Sequence, residues 1–172
     1  MTLIEFFKKQ YEEEGAITRK FLALVKEDDF GFKPHPRSMV MKELVKHLAD
    51  LPGWIHLVLT TEELDFENAY VQPEIKDSED MMAYFEQRYQ EGLSMLVPEN
   101  EAQMQLPWTL RNGDIVYWTD LKMEMIRTSL SQQIHHRAQL GVYLRLLDIP
   151  IPGSYGPSAD ENEFAAMEAA AA

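Results

Sequence analysis

The sequence predicts an all-α protein, an antiparallel four-helix bundle with a long crossover connection and a short hairpin or loop before the last helix. Three observations support this fold class. Four long segments repeat apolar residues at helical spacing. Breaks separate these segments: DDFGFKPHPRS contains two prolines and a glycine, and LDFENAYVQPEI is a long, charged connection. The chain has 172 residues, of which 45% are hydrophobic, and this size and composition favour one domain around a single core.

Four segments carry the helical pattern and are predicted as helices: residues 3–27, 39–61, 77–96 and 119–147. Thr2 is placed to cap the first helix, and Ser38, the last residue of the break DDFGFKPHPRS, is placed to cap the second. Pro52 and Gly53 fall inside the second helix. They predict a kink there, or an end followed by a restart, because proline lacks the N–H that a helix interior requires.

Residues 108–118, WTLRNGDIVYW, interrupt the helical pattern. The pair Asn112-Gly113 is typical of a two-residue hairpin turn, and residues of high β-propensity flank it. A short hairpin is predicted here, with a tight loop as the alternative, because two strands alone are marginally stable. Residues 1–163 are assigned to one bundle domain, and the alanine-rich residues 164–172 are assigned to a flexible tail.

The composition excludes several classes of function. A formal net charge of −13 repels phosphate backbones, so nucleic acid is not an expected partner. No apolar run reaches the length of a membrane span, and the N-terminus MTLIEFFKKQYEEEG lacks the pattern of a signal peptide. The absence of cysteine excludes disulfides, thiolate metal ligands and a cysteine nucleophile. It also fits a reducing cytosol, so a cytoplasmic protein is expected.

Polar side chains fall on the predicted inward faces of two different helices. In the second helix, His47 lies on an apolar stripe and is expected to point into the bundle. In the last helix, within SQQIHHRAQL, Gln132 and His136 lie four residues apart and therefore share a face on consecutive turns. Burying two imidazoles and an amide without partners costs on the order of a few kcal/mol. They must therefore be satisfied by one another, by water or by a metal ion.

The stretch HHRAQL and the following VYLRLLDIPIPGSYGPSADE resemble the C-terminal half of the DinB/YfiT-like family, a group of bacterial proteins that includes metal-dependent enzymes. KHLADLP resembles the family helix that bears the first metal ligand, and the resemblance covers essentially the whole chain. It implies a four-helix bundle, commonly dimeric, that holds a divalent metal, often zinc or nickel, with three histidines. His47 and His136 match two of these positions. The remaining position falls on Gln132, which departs from the family pattern.

The resemblance implies that the protein is a metal-dependent enzyme, because characterised members of the family use the metal to activate a low-molecular-weight thiol. The expected substrate is a small molecule. Since an amide suits zinc less well than an imidazole, Gln132 is expected to weaken or abolish metal binding. Arg137 is a candidate clamp for an anionic substrate group, or else an interhelical ion-pair residue. Tyr143 is a candidate hydrogen-bonding group of the site, and Asp160 or Glu161 could bring a tail carboxylate to the cleft.

Two classes of function therefore stay open. The first is a metal-dependent enzyme of the thiol-transferase or hydrolase kind, which His47 and His136 favour. The second is a degenerate, non-catalytic bundle that binds a small ligand or serves as a dimeric interaction protein, which Gln132 favours. A homodimer is expected in both cases, from the resemblance and because the apolar faces of the last helix exceed what one bundle core needs.

Overall fold

The computed structural model describes residues 1–68 and 70–161. Within these residues it contains five α-helices and one three-stranded sheet. The helices are α1 (Leu3–Leu22), α2 (Met41–Asp50), α3 (Trp54–Thr60), α4 (Ser78–Met95) and α5 (Lys122–Leu146). The strands are β1 (Glu63–Asp65), β2 (Pro107–Asn112) and β3 (Ile115–Leu121). The predicted domain boundary at residue 163 and the predicted flexible tail over residues 164–172 lie outside the described residues.

The prediction of an all-α, four-helix bundle is wrong. Helix α2 ends at Asp50, the chain passes through a 3-10 turn over Leu51–Gly53, and α3 begins at Trp54. The restart follows from Pro52, which cannot donate the N–H bond of a continuous helix. The strands β2 and β3 form the predicted hairpin. The crossover connection runs between α3 and α4, and its strand β1 pairs in parallel with β2. The sheet order is therefore β1-β2-β3, and this third strand adds the support that an isolated hairpin lacks.

The turn of the hairpin is tied to β1 by side-chain contacts. Gly113 has a φ of +55°, a conformation that glycine adopts at no steric cost. Its backbone N–H donates to Asp65 Oδ1 at 2.9 Å. Arg111 pairs with Glu63 at 2.6 Å and with Asp65 at 2.8 Å. The bonds from Gly113, together with those from Glu67, Asn68 and Arg111, hold the pKa of the Asp65 carboxyl below its ordinary value. The crossover is therefore anchored to the hairpin at one end of the bundle.

Capping side chains set where α1 and α4 begin. Thr2 accepts the N–H of Glu5 at 3.2 Å, and the Glu5 carboxylate accepts the N–H of Thr2 at 2.8 Å, which is a complete capping box. Asp77 accepts the N–H of Asp80 at 2.8 Å and starts α4. Helices α1, α2, α4 and α5 surround the main core, whose members include the fully buried Leu22, Leu44, Leu48, Phe85 and Ile126. None of the helices in the described part of the chain combines the length and apolar character needed to cross a bilayer.

Candidate functional site

A cavity of about 630 Å³ opens beside α2 and α5, under the crossover connection. Apolar and aromatic side chains form much of its wall, and a few polar groups converge on it, as is usual for small-molecule sites. The lining of this cavity includes His47, Asp50, Trp54, Tyr70, Leu110 and Gln132. The cavity therefore brings together residues from α2, α3, β2, α5 and the segment that follows β1.

The structure brings His47, Gln132 and His136 together where α2 meets α5. His47 Nε2 lies 3.3 Å from Gln132 Oε1. The ring centroids of His47 and His136 are 4.6 Å apart, and the ring planes are nearly perpendicular, at 80°. Because Gln132 and His136 are four residues apart on α5, consecutive turns of one helix present both to the histidine of the other helix. The three side chains predicted to form the site are thus mutual neighbours.

His136 is oriented by a second amide. Its Nδ1 lies 2.9 Å from Gln139 Oε1. Since a carbonyl oxygen only accepts, Nδ1 carries the proton and the lone pair is left on Nε2. Metal-ligating histidines are commonly oriented in this way. Burial lowers the pKa of His136 below its ordinary value, the bond to Gln139 opposes this, and the neighbouring His47 and His135 add to the lowering.

The lowered pKa of His136 predicts that the metal-free protein loses stability in mild acid. When the pKa of a histidine is lower in the folded chain than in the unfolded chain, the unfolded chain takes up the proton at a higher pH. Titration of His136 therefore leaves the free energy of unfolding unchanged above the ordinary pKa of 6.5. As the pH falls below that value, the titration lowers the free energy of unfolding. NMR titration of the His136 imidazole in chelator-treated protein should give a pKa under 6.5. A value at or above 6.5 would contradict the prediction, and His136→Gln should flatten the pH dependence of urea unfolding.

Asp50 was not among the predicted site residues, yet it is the most highly bonded polar group of the cleft. It lies three residues after His47 on α2 and is 1% exposed. Its carboxylate accepts hydrogen bonds from Trp54 Nε1 at 3.0 Å and from the hydroxyls of Tyr70 and Tyr84. Arg88 Nε lies 3.3 Å from Asp50 Oδ1. One carboxylate thus ties the crossover, α3 and α4 to the helix that carries His47.

The protonation of the two tyrosines follows from this arrangement. Burial raises the pKa of both Tyr70 and Tyr84, and the Asp50 carboxylate raises them further. Both hydroxyls therefore remain protonated and act as donors to Asp50. The sequence signal was the stretch KHLADLPGW, in which Asp50 shares a helix side with His47 and precedes Trp54 by one turn. That signal places a carboxylate near His47, but it does not identify the donors from the crossover and α4.

Arg137 makes the interhelical ion pair that was one of its two predicted roles. It is 2% exposed, and its guanidinium lies 2.6 Å from a Glu14 carboxylate oxygen. It also donates to Thr18 Oγ1 at 3.1 Å and to Tyr155 Oη at 2.8 Å. These contacts join α5 to α1 and to the segment after α5. The guanidinium is fully engaged there, which favours a structural role over that of a substrate clamp.

The remaining predicted residues also have partners other than the two histidines. Tyr143 donates its hydroxyl to the backbone oxygen of Met39 at 2.9 Å. Asp160 pairs with Arg145 at 2.5 Å, and this pairing lowers the pKa of Asp160 to about 2. Glu161 accepts the N–H of Ser158 at 3.1 Å. In the described part of the chain, these two carboxylates thus stabilise the segment after α5 through local contacts.

The donors at the α2–α5 contact suit only a weak metal site. Across residues 1–68 and 70–161, no cluster of three or more His, Asp or Glu side chains is placed to hold a metal ion. The donor set is instead the imidazoles of His47 and His136 and the amide of Gln132. Two ligands of a tetrahedral ion are about 3.4 Å apart when each is about 2.1 Å from the metal. The 3.3 Å between His47 Nε2 and Gln132 Oε1 is therefore compatible with a direct hydrogen bond and with a shared ion.

Another cavity of about 630 Å³ lies on the side of α5 that faces the segment after it. Its walls are mostly apolar, and its lining includes Phe21, Val142, Leu146 and Ile151. Its charged lining residue is Arg145, which is paired with Asp160. Among the described residues, its lining includes no His, Asp or Glu, so the cleft beside His47 is the candidate functional site.

The DinB family model matches residues 3–168 of the chain. Three solved structures have similar folds. A DinB-like protein, YjoA, from Bacillus subtilis has a TM-score of 0.67 at 18% identity, covering 86% of this chain and 96% of its own. A protein described as a member of the DinB family, from Exiguobacterium sibiricum, has a TM-score of 0.67 at 19% identity, covering 89% and 97%. A DinB-like protein from Bacillus cereus has a TM-score of 0.66 at 17% identity, covering 88% and 97%. No curated protein matches the chain.

Proposed function

The chain belongs to the DinB family, and on that premise we propose that it is a divalent-metal-dependent enzyme of the thiol-transferase or hydrolase kind. Its substrate is a small molecule that enters the cleft beside His47. The observation that carries the proposal is the convergence of His47, Gln132 and His136 from two helices next to a cavity of about 630 Å³. The histidine positions that the family resemblance implies are thus close enough to act on one ion.

The protein's own residues have separable roles in this proposal. His47 and His136 would hold zinc or nickel through imidazole nitrogens, and Gln132 through its amide oxygen. Such an ion, when bound, lowers the pKa of a water or a thiol and so supplies hydroxide or thiolate near neutral pH. Gln139 holds His136 in the tautomer that leaves Nε2 free. Asp50 fixes the walls of the cleft by accepting bonds from three neighbouring segments.

A low-molecular-weight thiol is the proposed co-substrate. The chain contains no cysteine, so a thiolate in the cleft must come from a bound molecule. Trp54, Tyr70 and Leu110 offer aromatic and aliphatic surface to the organic part of such a molecule. Lys46, also in the wall, carries a charge that would attract an anionic substituent.

A second function, a non-catalytic ligand-binding bundle, is favoured by a specific observation. The hydrogen bond between His47 Nε2 and Gln132 Oε1 gives each of these two atoms a partner without an ion. In addition, a site with only two histidines binds zinc more weakly than one with three. In this alternative the cleft still receives a small molecule, but no metal-dependent reaction takes place.

Metal analysis of protein purified without an affinity tag separates the two functions. We expect zinc or nickel to accompany the wild-type protein and the matched variant His56→Ala, whose histidine lies on α3. His47→Ala and His136→Ala should lose the metal. Adding N-acetylcysteine to cobalt-loaded protein should then produce sulfur-to-metal charge-transfer absorption. Absence of metal from the wild type, both as purified and after supplementation, would favour the non-catalytic bundle.

We also propose that the protein is a homodimer through α5. Val142 and Leu146, one turn apart on that helix, are each 58% exposed, and exposed apolar patches commonly mark interfaces. Sedimentation velocity should give twice the formula mass of 20.0 kDa. Val142→Asp should produce monomer, whereas Val71→Asp, at a residue that is 92% exposed in the crossover, should not. A wild-type monomer at micromolar concentration would reject the dimer.

A further inference from the structure

A separate cavity, of about 430 Å³, lies where β1, β2 and the start of α5 meet. It shares no lining residue with the cavity beside His47. Its polar lining includes Lys122, Glu62, Gln103 and Thr109. Leu106 and the neighbouring proline add apolar surface. The volume suits a small metabolite, since protein ligand pockets usually start at about 300 Å³.

Lys122 is the unusual residue of this cavity. It is 4% exposed, although lysine is almost never fully buried unless it is paired. Its backbone N–H donates to Leu106 O at 2.9 Å. The stem of the side chain is buried, whereas its ammonium keeps access to the cavity and, within residues 1–68 and 70–161, has no hydrogen-bond or ion-pair partner. Burial lowers the pKa of this ammonium, and the charge of Glu62 only partly opposes that. A ligand with an anionic acceptor would supply the partner that the protein does not.

The position of Lys122 strengthens its attraction for an anion. It is the first residue of α5, which is 25 residues long, and no side chain caps the start of that helix. Helix N-termini carry a partial positive charge that acts over the first turn. Glu124, in the same turn, is paired with Arg127 at 2.7 Å. Its charge is therefore already balanced, and the start of α5 adds a partial positive charge beside the ammonium of Lys122.

The glutamates in the lining of the cavity favour a cation. Glu63 is already held by Arg111 through two hydrogen bonds, of 2.6 and 2.9 Å. Glu62 is exposed and has no ion-pair partner in the part of the chain that the structure describes. The unpaired Glu62 carboxylate would repel a phosphate or a dicarboxylate. A ligand with one carboxylate and one ammonium group matches both Lys122 and Glu62.

We propose that this cavity binds a small aliphatic amino acid, with its carboxylate on Lys122, its ammonium group toward Glu62 and its side chain against Leu106. The site is independent of the proposed metal site, because none of its residues takes part in the His47 cleft. It gives the chain a second small-molecule binding function, at the junction of the sheet and the bundle.

Three probes of similar shape test the proposal by calorimetry or NMR. L-leucine carries both charges, 4-methylpentanoate lacks the ammonium group, and 3-methylbutylamine lacks the carboxylate. We expect leucine to bind at least about tenfold more tightly than either analogue. Lys122→Met keeps the apolar stem and should weaken leucine binding by at least about tenfold. The Glu62→Gln variant should bind leucine no more tightly than the wild type binds 4-methylpentanoate.

Lys33→Met serves as the matched control, since Lys33 is an exposed lysine outside this cavity, and it should leave leucine binding unchanged. If Lys122→Met fails to fold, Glu62→Gln still decides, because Glu62 is exposed and its replacement leaves the core intact. The proposal is overturned if leucine does not bind at millimolar concentration, or if the three probes bind equally. It is also overturned if leucine binding survives both substitutions.

Discussion

Replacing Asp50 with alanine is expected to lower the free energy of unfolding by about 3–5 kcal/mol. The Asp50 carboxylate is 1% exposed and accepts bonds from Trp54, Tyr70 and Tyr84. Without it, these donors lose their acceptor, and the mostly buried Arg88 loses the carboxylate at 3.3 Å. For a chain of this size, the loss corresponds to a decrease in Tm of roughly 10 °C.

Urea unfolding followed by circular dichroism measures this effect, with Glu13→Ala as the control. Glu13 is exposed, and its carboxylate lies 4.0 Å from the Lys9 ammonium. Removing this carboxylate should change the free energy of unfolding by less than about 0.5 kcal/mol. A double replacement, Asp50→Ala with Arg88→Met, should recover part of the loss because it removes a mostly buried guanidinium that would keep only Glu91 of its two carboxylates. Equal effects of Asp50→Ala and Glu13→Ala would show that the Asp50 network does not stabilise the fold.

Gln132→His is expected to tighten zinc or nickel binding by at least about tenfold, or about 1.4 kcal/mol. The substitution supplies a third imidazole in place of the amide, and the spacing of four residues to His136 already directs both side chains to His47. No change of backbone is required. Binding by this variant should weaken below about pH 6, because protonated imidazoles cannot bind a metal.

Competition against a chromophoric chelator measures the affinities of the wild type and the variant. Gln90→His is the matched control, because Gln90 is exposed on α4, and it should bind no more tightly than the wild type. Equal affinities of the wild type and Gln132→His would mean that position 132 does not face an ion. The non-catalytic bundle would then be the better account of the His47–Gln132 contact.

The meeting of His47, Gln132 and His136 could be predicted because helical periodicity fixes which side chains share a face. The turn at Asn112-Gly113 could be predicted because few sequences suit a two-residue hairpin loop. Both signals are local, and they depend on the spacing within one segment. For the same reason the last helix was predicted over residues 119–147 and is observed over Lys122–Leu146.

The features that the sequence did not reveal depend on contacts between distant segments. β1 covers only Glu63–Asp65, which is too short for an alternating pattern to be visible. Its pairing relies on Arg111, nearly fifty residues further along the chain. The donors to Asp50 likewise come from α3, the crossover and α4, so its network emerges only when these elements pack. The burial of Lys122 also depends on the three-stranded sheet, of which the prediction contained only the hairpin.

Anomalous diffraction at the zinc and nickel absorption edges, from crystals of metal-supplemented protein, tests the proposed metal site most directly. We expect one peak within about 2.0–2.2 Å of an imidazole nitrogen of His47, an imidazole nitrogen of His136 and the amide oxygen of Gln132. A peak at any other group of residues would contradict the account. The absence of a peak, with His47 Nε2 still bonded to Gln132 Oε1, would contradict it equally.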